Sequence, residues 1–158
     1  MSYENAKAHL MKFGLEDRVR EYSASCATVA LAAEAVGCEE REIAKSLTFN
    51  VKGEAVLVVV CGDARVDNAK FKAQFGVKAT MLKPDEVEML IGHGVGGVCP
   101  FGLKPEVRVY LDASLKQFEK VYPACGSSNS VAALSLAELE TASCALGWVD
   151  ISKPRERS

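Results

Sequence analysis

The chain has 158 residues, 49% hydrophobic and 25% charged, which is enough for one buried core and short for two domains. Its net charge of −2 and pI near 5.8 exclude nucleic-acid binding driven by overall charge, so any such partner needs a local cationic patch. No basic segment followed by an apolar one opens the chain, and the longest apolar run, residues 55–61, suits a buried strand rather than a membrane span, so a soluble cytoplasmic protein is expected.

In chain order, residues 5–13 place Ala6, His9, Leu10 and Phe13 on one side of a first helix. Residues 18–22 alternate weakly and read as a strand. Residues 28–36 form an Ala-rich helix stopped by Gly37. One or two helical turns follow over 39–44. Residues 45–51 and 54–61, joined through Lys52-Gly53, read as a hairpin whose second strand is central, with Lys45 at the start of the first. Residues 67–75 form a helix closed by Gly76, and residues 84–91 another, with Pro84 in its first turn and Gly92 just past its end.

Residues 106–112 alternate Val107, Val109 and Leu111 inward as a half-buried strand. The Ser135-Leu136-Ala137-Glu138 capping box opens a helix running to about Ser143, and residues 146–151 read as a last strand. Helices mixed with strands, one hairpin and no strict βαβ alternation predict an α+β fold. Residues 1–151 are expected to form the single domain and residues 152–158 a polar, frayed tail.

The six cysteines at 26, 38, 61, 99, 125 and 144 contain no Cys-x-x-Cys pair, and His9 and His93 are too few to complete a zinc motif. Reduced thiols acting as small hydrophobes are expected, with no metal and no cofactor.

The most distinctive stretch is residues 92–102, Gly-His-Gly-Val-Gly-Gly-Val-Cys-Pro-Phe-Gly. Its glycines remove the Cβ atoms that would keep a ligand from the main chain, and Pro100 fixes one φ. The β-branched Val95 and Val98, with Phe101, make it read as strand, tight bend, strand rather than a solvated linker. It is not a phosphate loop. No Gly-Lys-Ser/Thr ends it, the third glycine of a dinucleotide fingerprint is missing, and Pro100 and Pro105 oppose a following helix. A thiol hydrolase with Cys99 as nucleophile and His93 as base is the rival chemistry. It is opposed by Pro100, which lacks the N–H that a nucleophile elbow uses as an oxyanion donor. Ser127 and Ser128 have no neighbouring His or Asp to activate them.

The Gly96-Gly97-Val98-Cys99-Pro100 string resembles the Gly-x-x-x-Pro element of the YbaK/prolyl-tRNA editing domain family, and residues 92–102 as a whole resemble its freestanding ProX-like members. The Ile43-Ala44-Lys45-Ser46-Leu47 segment is similar to the place where that family carries its functional lysine. The Ala124-Cys125-Gly126-Ser127-Ser128-Asn129-Ser130 segment resembles its late Gly-Ser-x-His/Asn loop. The order and spacing hold over roughly residues 20–150.

This resemblance implies a curved mixed sheet or open barrel flanked by helices, and a trans-acting hydrolase that removes a small amino acid (Cys, Ala, Ser or Thr) from a mischarged tRNA, on tRNA-Pro or a related tRNA. It implies Lys45 and Gly96 as the catalytic pair, Lys45 holding the terminal nucleotide and neutralising charge near the scissile ester. Thr28, Ser46, Gly97, Val98, Cys99, Pro100, Gly126, Ser127 and Asn129 are the implied substrate-binding positions, Cys99 as a pocket wall. The implied partners are the aminoacyl-tRNA acceptor end and an aminoacyl-tRNA synthetase. A non-catalytic module of the same fold, binding an aminoacyl or nucleotide ligand or partnering a synthetase, is the alternative. Lys45, Lys52, Lys70, Lys72, Lys78 and Lys104 are available as a cationic rim for RNA, or else they are scattered surface solubilisers.

Overall fold

A computed structural model describes residues 2–154. It is a mixed α+β domain in which a curled six-stranded sheet forms a half-barrel flanked by helices. The centre is the hairpin of β2 (Ile43–Val51) and β3 (Glu54–Cys61), paired from Ala44↔Cys61 to Val51↔Glu54 without interruption. Lys52 and Gly53 turn it, both at positive φ. The run from Val56 to Cys61 is buried on both faces, as expected of a strand with neighbours on each side.

Strand β5 (Arg108–Asp112) pairs in parallel with β3, and β6 (Lys120–Pro123) in parallel with β2. Strands β8 (Leu134–Ser135) and β9 (Trp148–Val149) complete the order β8-β6-β2-β3-β5-β9. Two short ribbons lie outside this sheet: β1 (Val19–Glu21) with β7 (Ser130–Ala132), and β4 (Ala64–Val66) with β10 (Ser152–Pro154).

The helices are α1 (Ser2–Met11), α2 (Val29–Val36), α3 (Asn68–Phe75), α4 (Pro84–Ile91) and α5 (Leu136–Ala142). Their ends follow the local chemistry. The side chains of Thr28, Asp67 and Ser135 cap the N-termini of α2, α3 and α5, while Gly37, Gly76 and Gly92 take left-handed φ after α2, α3 and α4. Helix α3 locks onto the sheet through Phe71, whose ring centroid lies 4.7 Å from that of Phe49 and 4.8 Å from that of Phe75. Phe49 and Phe71 are fully buried, each side chain stabilising the fold by about 1.5–3 kcal/mol. Among the described residues no helix is long and apolar enough to cross a membrane.

Three expectations are corrected. Residues 92–102 contain no strand, because their backbone bonds are local or go to a neighbouring loop. The helical turns expected over 39–44 shrink to one 3-10 turn, Glu40–Glu42, so β2 starts at Ile43 and Lys45 is its third residue. The expected frayed tail begins with an ordered strand. Ser152–Pro154 pair with β4, the buried Asp112 carboxylate accepts from Ile151 N–H (2.8 Å) and Ser152 Oγ (2.6 Å), and Lys70 Nζ donates to Ser152 O (2.9 Å). The rest of that tail, residues 155–158, lies outside the described residues.

Candidate functional site

A cavity of about 280 Å³ opens between the N-terminus of α2, strand β2, the start of α4 and the glycine loop. Its position follows from a break in sheet pairing. Asn50 N–H donates to Thr80 O (2.8 Å) and Leu82 N–H to Thr48 O (3.1 Å), so Thr48 and Asn50 turn their peptide groups away from β3. Strand alternation then turns the N–H and C=O of Ser46 to the same edge. Strand β6 follows that edge only to Ala44, which pairs with Pro123, and the pairing with residues 80–82 ends at Thr48. The peptide groups of Ser46 therefore face the gap that the cavity occupies. Its hydroxyl is buried with no hydrogen-bond partner among the described residues.

Lys45 also lines the cavity, and its Nζ donates to Ala64 O at 2.8 Å, a contact that fixes the half-buried side chain against the start of β4. Thr28 stands at the α2 end of the wall, where its Oγ1 accepts from Leu31 N–H at 3.2 Å. Gly96, Val98 and Tyr122 are also among the lining residues. No Asp, Glu or His is among the lining residues. Cys26 is the thiol present, and burial pushes it above the ordinary thiol range. The cavity thus offers apolar walls, one cation, hydroxyls and exposed peptide groups. Such a set orients a polar ligand and balances negative charge, and it supplies no carboxylate or imidazole base. Among the described residues no group of three or more His, Cys, Asp or Glu side chains is placed to hold a metal ion.

The glycine loop owes its shape to two contacts. His93 Nε2 donates to Phe101 O at 2.6 Å and closes its neck. At its base it crosses the 124–130 loop so closely that a Cβ on Gly97 would stand 2.7 Å from Gly126 C and Ser127 N, while Gly126 N–H donates to Gly97 O at 3.0 Å. Only a residue without a side chain permits that approach. Gly96, one residue earlier, has φ +97° and faces Ala27 and Ser128.

Of the site residues predicted from sequence, Thr28, Lys45, Ser46, Gly96 and Val98 line the cavity, and Gly97, Gly126, Ser127 and Asn129 lie outside the lining, in and beside the loop crossing. Asn129 is engaged in holding β1: its Nδ2 donates to Tyr22 O (3.1 Å), its Oδ1 accepts from Ser127 Oγ (3.0 Å), and its backbone O accepts from Tyr22 N–H (2.8 Å). Cys99 and Pro100 are buried away from the cavity, so Cys99 is not a pocket wall.

Nor does the geometry make Cys99 a nucleophile. Its Sγ is 3.5 Å from His93 Nε2, yet that nitrogen carries the proton it donates to Phe101 O, and a protonated nitrogen cannot accept the thiol's. Burial, with Cys125 nearby, drives the Cys99 thiol far above its ordinary range, and burial holds His93 below the usual imidazole range. Of the six lysines considered as a cationic rim, Lys45 alone lines the cavity, and Lys70 is bonded to Asp150 (3.1 Å) and Ser152. Sequence reasoning missed Tyr122, Ala124, Met81 and Val87 as lining residues. The signal for Tyr122 was the alternation of Lys120-Val121-Tyr122-Pro123, a strand of which only the buried Val121 and Pro123 face the interior.

A model of the aminoacyl-tRNA editing domain matches residues 23–142, more than half of the chain. The uncharacterized protein YwhH of Bacillus subtilis (strain 168) is 46% identical over 157 residues, 99% of this chain and 100% of that protein. A proline–tRNA ligase of Staphylococcus saprophyticus is 32% identical over 81 residues, which is 51% of this chain and 14% of the ligase. Among solved structures, one described as a candidate trans-editing enzyme for prolyl-tRNA synthetase superposes with a TM-score of 0.86 at 31% identity, covering 96% of this chain and 97% of that one. A scaffold protein used for epitope grafting gives 0.85 at 29% identity over 96% and 97%.

Proposed function

The chain belongs to the aminoacyl-tRNA editing domain family, and from that premise we propose that it is a trans-acting hydrolase of tRNA mischarged with a small amino acid. Editing answers a physical limit: one methylene is worth only about 1–3 kcal/mol of discrimination, so a synthetase admits smaller analogues that a second site must remove. The observation that carries the reading is the cavity itself, where Lys45, the peptide edge of Ser46 left by the end of sheet pairing, its buried hydroxyl, Gly96 and Val98 converge without an acidic side chain or imidazole.

In this reading the amino-acid side chain enters the apolar part of the cavity, and because the same volume of about 280 Å³ must also hold the polar part of the aminoacyl end, little room is left for a large side chain. The Ser46 edge completes its pairing with the polar groups of the aminoacyl moiety. Lys45, held by Ala64 O, balances the charge that develops on the carbonyl oxygen as water adds to the carbonyl carbon; were a substrate hydroxyl to attack instead, the acyl group would first move to that oxygen and water would release it in a second addition. The bond to the ribose oxygen then breaks, that oxygen takes up the proton, and free amino acid and intact tRNA leave. Positioning carries the rate, since an oriented reactant pair recovers about 7–11 kcal/mol of barrier.

The experiment is a deacylation time course with tRNA-Pro charged with alanine, cysteine, serine or threonine. Loss of at least one ester well above the buffer rate is expected. Tight binding of these tRNAs with no turnover would replace the hydrolase with a binding module, and a stable synthetase complex without turnover would make it a synthetase partner.

A further inference from the structure

A second hollow, of about 240 Å³, adjoins the first and shares Tyr122 and Val131 with it. Arg20, Tyr22, Val36, Lys120 and Ala133 complete its lining. Its construction repeats one device. Arg20 and Tyr22 are two apart on and just beyond β1, and Lys120 and Tyr122 are two apart on β6, so each strand turns a cation and then a tyrosine to the same side. Asn129 fixes the Tyr22 end through both of that residue's peptide groups. Lys120 Nζ stands 5.9 Å from the Tyr122 ring centroid. Arg20 and Lys120 are exposed, and no ion pair among the described residues engages either. No Asp or Glu lines the hollow.

We propose that this hollow is the subsite for the single-stranded nucleotide preceding the terminal adenosine of the aminoacyl-tRNA, Arg20 and Lys120 holding its phosphate and the tyrosines its base or sugar. The inference rests on the editing reading above and deepens it. Cations that follow a backbone beside aromatic faces that accept any base are the components of a single-strand site. A chain of net charge −2 needs such a local patch, and the lysines considered from sequence do not provide one at the cavity. The shared Tyr122 gives the geometry its direction: a strand whose esterified end enters the first cavity passes over the second.

The test compares wild type with the Arg20→Ala/Lys120→Ala double variant on two substrates carrying the same amino acid, an intact mischarged tRNA and a 3′-aminoacyl-adenosine without phosphate. The expected result is a KM for the tRNA raised about tenfold or more with kcat retained, kcat/KM for the adenosine ester within about twofold, and a shallower salt dependence of tRNA binding, by about 0.7 in log–log slope for each phosphate that is no longer neutralised. An unchanged KM for a tRNA that the wild type hydrolyses overturns the subsite. So does an equal loss on both substrates, which would mean a disturbed first cavity. Should the wild type hydrolyse neither substrate, the editing reading fails by itself, and the subsite is judged by affinity for a ribo-trinucleotide ending in adenosine. A fall of about tenfold in the double variant sustains it, and equal affinity removes it.

Discussion

Replacing Gly97 by alanine is the sharpest probe of how the glycine loop is built. The new Cβ would meet Gly126 C and Ser127 N at 2.7 Å and Gly126 O at 2.9 Å, where ordinary contact begins near 3.4 Å. All three are backbone atoms, so no side chain can swing away, and the loops must part by roughly 0.7 Å. That movement strains or breaks the bond from Gly126 N–H to Gly97 O. Overpacking costs about 1–3 kcal/mol and a hydrogen bond about 1 kcal/mol, so Gly97→Ala is expected to lose about 2–4 kcal/mol. At about 2–4 °C per kcal/mol for a chain of this size, Tm falls by roughly 5–15 °C. Gly94→Ala is the internal control. Its Cβ would approach only Glu88 Oε2, the far end of a flexible side chain, at 3.0 Å, and its φ is not positive. It is expected to stay within about 0.5 kcal/mol of wild type. Thermal unfolding followed by circular dichroism reads both. Equal Tm values for the two variants would refute the close loop crossing.

Three further outcomes are expected. Lys45→Ala lowers deacylation about 10²-fold, because the charge-balancing donor is lost, and costs about 1 kcal/mol through the bond to Ala64 O; kinetics like those of wild type would remove Lys45 from the site. Cys99→Ser keeps kcat/KM within about threefold, since the thiol is buried and faces a protonated nitrogen; abolished turnover, with substrate-protected alkylation of Cys99, would restore the thiol mechanism. His93 sits below its unfolded pKa of about 6.5 because burial disfavours the cation, so the unfolded chain binds more protons as pH falls through that range. Folding stability is therefore full above it and declines below, until the folded ring also protonates. His93→Gln should flatten the slope of denaturant-derived stability between about pH 5 and 7, and an unaltered slope would exclude His93 as its source.

The parts of the fold that were legible in sequence are those whose determinants are local. Pro84 at the first turn and Gly92 past the end bound α4, and Gly37 and Gly76 stop α2 and α3. Lys52-Gly53 turns the central hairpin. Strand β6 carries a four-residue alternation too short to stand out and takes its register from β2, far back along the chain, while β7 and β10 are three-residue strands held by β1 and β4 with no local pattern to announce them. The glycine loop looked like strand because Val95, Val98 and Phe101 favour extended backbone. What decided its form was a partner: the 124–130 loop crosses it closely and takes the Gly97 carbonyl, and His93 staples its neck.

The same division runs through the site. Lys45 and Ser46 were legible because a motif carries them, and both line the cavity. Asn129 and Ser127 belong to a motif too, yet their polar atoms are engaged with Tyr22 and with each other. The opening at Ser46 depends on where β6 and residues 80–82 stop pairing, a property of the assembled sheet that residue identity does not carry.

The most direct measurement is single-turnover deacylation of tRNA-Pro carrying amino acids of graded size, from alanine and cysteine through serine and threonine to leucine and phenylalanine. A cavity that selects by size predicts rapid loss of at least one small ester and retention of leucine and phenylalanine at the buffer rate. No loss of any small ester above buffer, or equal loss across the series, would contradict a size-selecting hydrolase built on the Lys45 strand and the glycine loop.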